Sequence, residues 1–391
     1  MKLYLLTALV TAAITCVFSF VVWKVALRFK WYPAVRERDV HTTPTPRLGG
    51  VAMLIGIVSV VILSRFIGFF DIFWTEPRVV WSVLAATLLI AFVGLADDIW
   101  DLDWFLKLGA QFVAAGIIAV GGGVQIYALP INGIVVFSSI VSIVATMFAI
   151  VVVMNSVNFI DGLDGLVAGV CLIANGVFFF YSYLLVRDAG ATSYANLGTF
   201  LSVVLVGACI GFLPINWNPA RMFMGDTGAL VVGLLMATSA IAITGQLPPA
   251  ALDQDVTGRS QIIGTLIPIL LPVLIVGLPL ADFGLAIIRR TSRGKSPFSP
   301  DREHLHHRMI DRGHTVRQAV LVFYAFSAIA ALTMLLMYIF TREDWFGRHW
   351  FGEYWIAIAY GVVGFIACFV LALVPALPKR DATGDSSHRG A

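Results

Sequence analysis

The chain has 391 residues, 59% of them hydrophobic and 13% charged, with a net charge of +3. Soluble domains carry about 25% charged residues; with a mean hydropathy of +0.90, this chain has too little charge to cover a water-soluble surface, which excludes an ordinary globular protein. Apolar runs recur from end to end and are longer than the alternating segments of roughly ten residues that build a membrane β-barrel, so the expected fold class is all-α, a polytopic integral membrane protein.

A 30 Å hydrocarbon core takes roughly 20 residues of helix, and the chain offers about eleven such spans. The first, 3–27, is too long for the apolar core of a cleaved signal and lacks a small-residue cleavage site. It leads into a segment with Arg36, Arg38, His41, Pro44, Pro46, Arg47, Gly49 and Gly50. Two prolines stiffen this basic strip just before a helix start, a setting suited to a phosphate.

Spans two and three cover 50–70 and 79–96. The third ends in Asp97-Asp98-Ile99-Trp100-Asp101. On a continuing helix these spacings bring three carboxylates toward one face. Such crowding at a bilayer boundary calls for a cation, or else marks a solvated helix end. Spans four and five cover 107–121 and 136–155. Asn155, Asn158, Asp161 and Asp164 follow at intervals of one helical turn, with Gly162 and Gly165 among them. Asn can bond a sugar, a base or a phosphate oxygen, and Asp a cation or a hydroxyl; alternatively Asp161 or Asp164 caps the next helix.

Spans six to eight cover 164–186, 194–213 and 227–245. Between the last two lies Asn216-Trp217-Asn218-Pro219-Ala220-Arg221-Met222-Phe223-Met224-Gly225-Asp226-Thr227-Gly228. Asp226 stands at a helix start, as a cap or as a further boundary carboxylate. Span nine, 262–287, contains Pro268, Pro272 and Pro279, and each removes a helical hydrogen bond. A kinked or broken helix follows, tolerated only where protein or water covers it. The 288–317 segment carries Arg289, Arg290, Arg293 and Lys295, then Arg302, His304, His306 and His307. Zinc would want further ligands such as cysteine, and the basic surroundings suit an anionic phosphate better. Spans 318–340 and 354–375 complete the set. Residues 1–378 read as a single transmembrane catalytic domain, and 379–391 as a disordered tail. Cys16, Cys171, Cys209 and Cys368 lie in apolar stretches without paired spacing and read as buried thiols.

With the N-terminus outside, 19 of the 26 Lys and Arg fall on the inner side or at its span ends; this bias supports an odd number of spans. The Asp, Asn and His clusters gather at the same face. A secondary transporter of anionic metabolites would instead place charges near the bilayer midplane, reachable from both sides. Carboxylates that hold magnesium, beside basic groups that hold phosphate, suit transfer between a phosphate-bearing lipid and a soluble phosphorylated donor.

Five ordered blocks, PTPRLGG at Pro44–Gly50, DDxxD at Asp97–Asp101, NxxNFIDGLDG at Asn155–Gly165, NPAxxFMGDTG at Asn218–Gly228 and HLHH at His304–His307, resemble the polyprenyl-phosphate N-acetylhexosamine-1-phosphate transferases. The resemblance spans about 24–375 and is nearest to the bacterial branch that uses UDP-N-acetylglucosamine; the phospho-N-acetylmuramoyl-pentapeptide transferase branch is the alternative. It implies attack of a polyprenyl phosphate (undecaprenyl or decaprenyl) on the β-phosphorus of UDP-N-acetylglucosamine, yielding the lipid diphosphate sugar and UMP. It further implies dependence on magnesium, replaceable by manganese, and a bacterial inner membrane with the site on the cytoplasmic face. Membrane lipids are expected contacts, a homodimer is an open option, and no nucleic-acid partner is expected.

Residue by residue, the resemblance assigns Asp97 to the lipid phosphate, as base or orienting group, and Asp98 and Asp226 to the metal. Asn155, Asn158, Asp161 and Asp164 fall in the nucleotide-side block, and Phe223 matches an aromatic that stacks on uracil. His304, His306 and His307 match a motif near the diphosphate, with Arg302 beside them; His41 and Arg47 fall in or beside the first substrate-binding block. The broken ninth span resembles the family helix that borders a groove for the polyprenyl tail.

Overall fold

The computed structural model describes residues 1–32, 45–130, 134–189, 193–244, 309–341 and 354–373, with 288 and 291–294. Among them the chain is a helical bundle with one short hairpin. The helices are α1 (Lys2–Phe29), α2 (Gly49–Ser64), α3 (Asp71–Trp74), α4 (Pro77–Trp100), α5 (Trp104–Gly116), α6 (Ser139–Ile160), α7 (Leu166–Ala189), α8 (Ser193–Asn216), α9 (Gly225–Thr244), α10 (Val316–Thr341) and α11 (Tyr354–Leu373). The all-α expectation omitted the hairpin, in which β1 (Ala128–Pro130) pairs antiparallel with β2 (Ile134–Val136), Leu129 opposite Val135. Free Cys171, Cys209 and Cys368 are buried; Cys16 is only half-buried.

Nine of the described helices are long and apolar enough to cross a membrane, ten if a bent pair counts as one span. The ninth expected span, 262–287, with its three prolines, lies outside the described residues. The uninterrupted span expected over 50–70 is corrected: α2 ends at Ser64, and Gly68–Trp74 turns away by 91°. Charge and hydrogen bonding fasten the bend. Arg65 pairs with Asp71 at 3.7 Å and lies over the Trp74 ring, while the Trp74 indole N–H donates to Ser64 Oγ at 3.1 Å.

The helices order themselves around α9. In its apolar window 94% of residues are buried, against 22% in α1, so α9 is protein-facing and α1 largely lipid-facing. Close approach at one end depends on missing side chains. A Cβ on Gly50 would lie 2.1 Å from Gly228 N, and one on Gly94 2.6 Å from Thr227 Cα. Small residues at such crossings let backbones touch where no hydrophobic effect drives helices together. The start of α2, the end of α4 and the start of α9 therefore meet.

The α4–α5 elbow is set by two aspartates. Asp101 closes α4 in the left-handed region at φ 55°, and Asp103 caps α5 by accepting from Phe105 N at 2.8 Å, a capping role that suits Asp. The helix does not continue past Trp100, so Asp101 leaves the face that Asp97 and Asp98 were expected to share with it. The third aspartate of that block is a corner residue.

Candidate active site

Asp97 and Asp98 end α4, Lys107 stands in the first turn of α5, Asn158 lies in the last turn of α6, and Asp226 opens α9. Lys107 Nζ donates to Asp97 Oδ2 at 2.7 Å and also bonds Asp226 Oδ2. Asn158 Nδ2 donates to Asp226 Oδ1 at 3.0 Å, and Leu102 N donates to Asp97 Oδ1 at 3.0 Å. Two carboxylates on different helices thus share one ammonium.

Asp98 points elsewhere. Its Oδ1 accepts from Asp226 N at 2.9 Å, and its Oδ2 accepts from Thr227 N at 3.1 Å and Thr227 Oγ1 at 2.8 Å. It occupies the N-terminus of α9, where free N–H groups and the helix dipole favour an anion. The cap of α9 is therefore a residue of another helix, and the Asp226 side chain is released toward Lys107 and Asn158. Gly225 at φ 73° makes this geometry accessible: a Cβ there would sit 2.6 Å from Asp98 Oδ2, and the left-handed backbone favours glycine.

Asp161 follows α6 and keeps part of its surface open, yet protein encloses most of its carboxyl. Burial, then the charges of Asp226 and Asp98, push it up to about 7, against the opposing charge of Arg47 and a hydrogen bond from the Gly225 backbone. Asp161 and Arg47 therefore belong to the same electrostatic neighbourhood as the carboxylate–lysine cluster.

Phe223 sits on a loop pinned from several sides. Its N–H donates to Pro46 O at 2.8 Å, its carbonyl accepts from Gly49 N at 3.0 Å, and Gly50 N donates to Met224 O at 2.8 Å. Two loops far apart in sequence exchange strand-like hydrogen bonds here, which fix the backbone of half-buried Phe223 against Pro46 and the start of α2.

Asp164 and Asn155 are set apart from the cluster. Buried Asp164 accepts from Asn218 Nδ2 at 2.9 Å and Ala220 N at 3.0 Å, clamping the loop that leads to Phe223. Asn155 and Gln111 exchange amide hydrogen bonds between α6 and α5. His41, Arg302, His304, His306 and His307 lie outside the described residues.

Lys107, Gln111, Arg317 and Tyr324 were not singled out by sequence. Lys107 had a signal: it is the one basic residue in a stretch, 97–107, with four aspartates. Arg317 had none. Its guanidinium bonds Asn218 O through Nε at 3.0 Å and Nη2 at 2.8 Å, and Tyr324 OH donates to Gly165 O, so α10 braces the same loop.

Among the described residues no group of three or more His, Cys, Asp or Glu is disposed to hold a metal. The chemistry nonetheless fits magnesium, which keeps several waters and takes one or two carboxylates with substrate phosphates. Asp97 and Asp226 already converge on a cation, the Lys107 ammonium, which stands in for it.

A model of glycosyl transferase family 4 matches residues 80–244, the stretch containing this cluster. A decaprenyl-phosphate N-acetylglucosaminephosphotransferase of Mycobacterium tuberculosis H37Rv is 36% identical over 90% of this chain and 83% of its own. The chain belongs to this family. The Mycolicibacterium smegmatis protein of the same description is 38% identical over 83% of this chain and 80% of its own. A phospho-N-acetylmuramoyl-pentapeptide-transferase of Corynebacterium urealyticum is 32% identical, but over 49% of this chain and 63% of its own. The family resemblance read from the five sequence blocks is thereby established, with family membership resting on whole-length similarity to the N-acetylglucosamine branch.

Proposed function

We propose that this chain transfers N-acetylglucosamine 1-phosphate from UDP-N-acetylglucosamine to a polyprenyl phosphate, the first membrane step of envelope glycan assembly. The observation that carries the reading is the cluster of Asp97, Lys107, Asn158 and Asp226 at one end of α4, α5, α6 and α9. It lies in a chain similar over most of its length to proteins named for that reaction with decaprenyl phosphate. We take decaprenyl phosphate as the acceptor.

In the reaction an oxygen of the acceptor phosphate attacks the β-phosphorus of the donor. The bond from that phosphorus to the bridging oxygen breaks, and UMP leaves with the electron pair. A phosphate monoester is already largely ionised near pH 7, so no base is needed to generate the nucleophile. Asp97, held by Leu102 N, serves to orient the acceptor phosphate rather than to remove a proton. Asp226 would hold the divalent ion, with Asp98 beside it and joined to it through the Asp226 N–H. A divalent ion held there would supply charge neutralisation for the diphosphate and for the departing UMP. Phe223 offers its ring to the uracil. Asn158 and Asp161 face the nucleotide side with Arg47, while Asp164 clamps the loop that leads to Phe223 and Asn155 ties α6 to α5. His304, His306, His307, Arg302 and His41 keep their assignments to the substrate phosphates from the motif resemblance.

The eleven-span topology belongs to the same reading. α9 and α10 both begin at the active-site end, since Arg317 of α10 bonds Asn218. The 20 residues of α9 carry the chain about 30 Å away, so it must return before α10, and a crossing over 262–287 supplies that return. Added to nine straight helices and the bent α2 pair, it makes eleven, N-terminus outside, with the site on the cytoplasmic face of a bacterial cell membrane.

The test is an assay of the purified chain in nanodiscs with labelled UDP-N-acetylglucosamine, decaprenyl phosphate and magnesium. Lipid-linked N-acetylglucosamine diphosphate and UMP in equal amounts are expected. Release of UDP, or turnover only with a UDP-muramoyl-pentapeptide, would overturn the assignment.

A further inference from the structure

Lys107 is placed for the carboxylates and against the preference of its own helix. It stands in the first turn of α5, with Lys107 N donating to Asp103 O at 3.2 Å. The helix dipole disfavours a cation there. Its ammonium instead bridges Asp97 of α4 and Asp226 of α9, side chains that are 10% and 26% exposed, with Lys107 itself at 21%. Two carboxylates this close repel in a partly dry site unless a cation lies between them.

We propose that Lys107 is a built-in counter-ion: it holds the cation position between Asp97 and Asp226 while the site is empty, and an incoming divalent metal displaces it. This rests on the reading of the cluster as a divalent-metal site. The geometry gives the exchange its logic. A lysine ammonium is a point charge on a flexible four-carbon stem, so it can leave without moving α5. The site keeps its carboxylates assembled between turnovers, and entry of a doubly charged ion frees one ammonium beside the substrate phosphates. Lys107 competes with the metal it prepares for.

The experiment uses Mn²⁺ as the probe, on the full chain in nanodiscs. Binding is read by electron paramagnetic resonance for wild type, Lys107→Gln and Asp226→Asn. Removing a positive charge within hydrogen-bond reach of both carboxylates should tighten Mn²⁺ binding by about tenfold or more in Lys107→Gln. A second measurement needs no variant: amine-reactive footprinting of wild-type Lys107, read by mass spectrometry at fixed pH, should rise severalfold when Mn²⁺ replaces chelator. Equal or weaker Mn²⁺ binding by a folded Lys107→Gln overturns the exchange, and so does wild-type labelling that stays level or falls. Should Lys107→Gln fail to fold, the footprint alone decides. Absence of any Asp226-dependent Mn²⁺ binding in wild type would overturn the metal reading and the exchange with it.

Discussion

Asp161 shows how burial, and after it the charges of neighbouring carboxylates, can hold one carboxyl above its ordinary range. Its upward displacement to about 7 exceeds the ordinary value of about 4. Between about pH 4 and pH 7 the folded state therefore holds a proton that the unfolded chain has lost. Stability of the metal-free protein falls as pH rises from about 4 to about 7 and stays low above that. Asp161→Asn removes the penalty. Measured in chelator, its unfolding temperature should exceed that of wild type by more at pH 8 than at pH 5; an equal or smaller gain at pH 8 would show that Asp161 is not held protonated. Asp226→Asn tests a different property. It keeps the side chain's size and its place beside Asn158 but removes the charge, and should abolish nearly all magnesium-dependent turnover in a protein that still folds. Near-normal turnover in the labelled-donor assay would take Asp226 out of the metal site.

At the scale of elements, two joints decide the site. Where α4 meets α9, a methyl on Gly94 would lie 2.6 Å from Thr227 Cα and 3.0 Å from the Asp226 carbonyl carbon. Backbone cannot yield as a flexible side chain does, and overpacking of this kind costs about 1–3 kcal/mol. Gly94→Ala should lower the unfolding temperature and cut turnover, because parting the helices stretches the three bonds from Asp98 to α9. Wild-type activity in Gly94→Ala would mean that this contact does not set the site. The second joint is the Arg317–Asn218 brace between α10 and the loop bearing Phe223. Its two hydrogen bonds are exposed, so the effect should be modest: Arg317→Ala should raise the donor KM roughly three- to tenfold with kcat nearly unchanged, and Arg317→Lys should recover part of it. A fall in kcat at constant KM would place Arg317's influence on chemistry instead of donor positioning.

Over the whole molecule, all the described polar clusters of the site fall at one end of the bundle, and the Lys and Arg bias gives that end a side. The proposed topology places 288–317 inside and the α10–α11 connection outside. Cysteines introduced at Ser296 and Gly347 should then label from opposite sides of intact cells, Gly347 with a membrane-impermeant reagent added outside. Labelling of both from one side would end the eleven-span topology.

Hydropathy alone was enough to place nine of the straight helices within a few residues, because insertion in lipid is a local property: a segment spans if its own 20 or so residues are apolar and its backbone bonds internally. The polar blocks were legible for the complementary reason, since ionisable groups at a bilayer boundary are costly and rarely idle. Asp97, Asp98, Asn158, Asp161 and Asp226 stood out on that ground. Partnership was not local, and tertiary structure decided it. Lys107 reaches Asp226 across 119 positions, Thr227 reaches Asp98 across 129, and Arg317 reaches Asn218 across 99. Each contact exists only because helices cross at glycines and turn at particular residues. The same packing made Asp98 the cap of a helix remote in sequence, sent Asp101 to a corner, set Asp164 behind the site, and bent α2 after Ser64. Spacing along one helix cannot foretell such outcomes, because a side chain's partner is chosen by the neighbouring helix that arrives beside it.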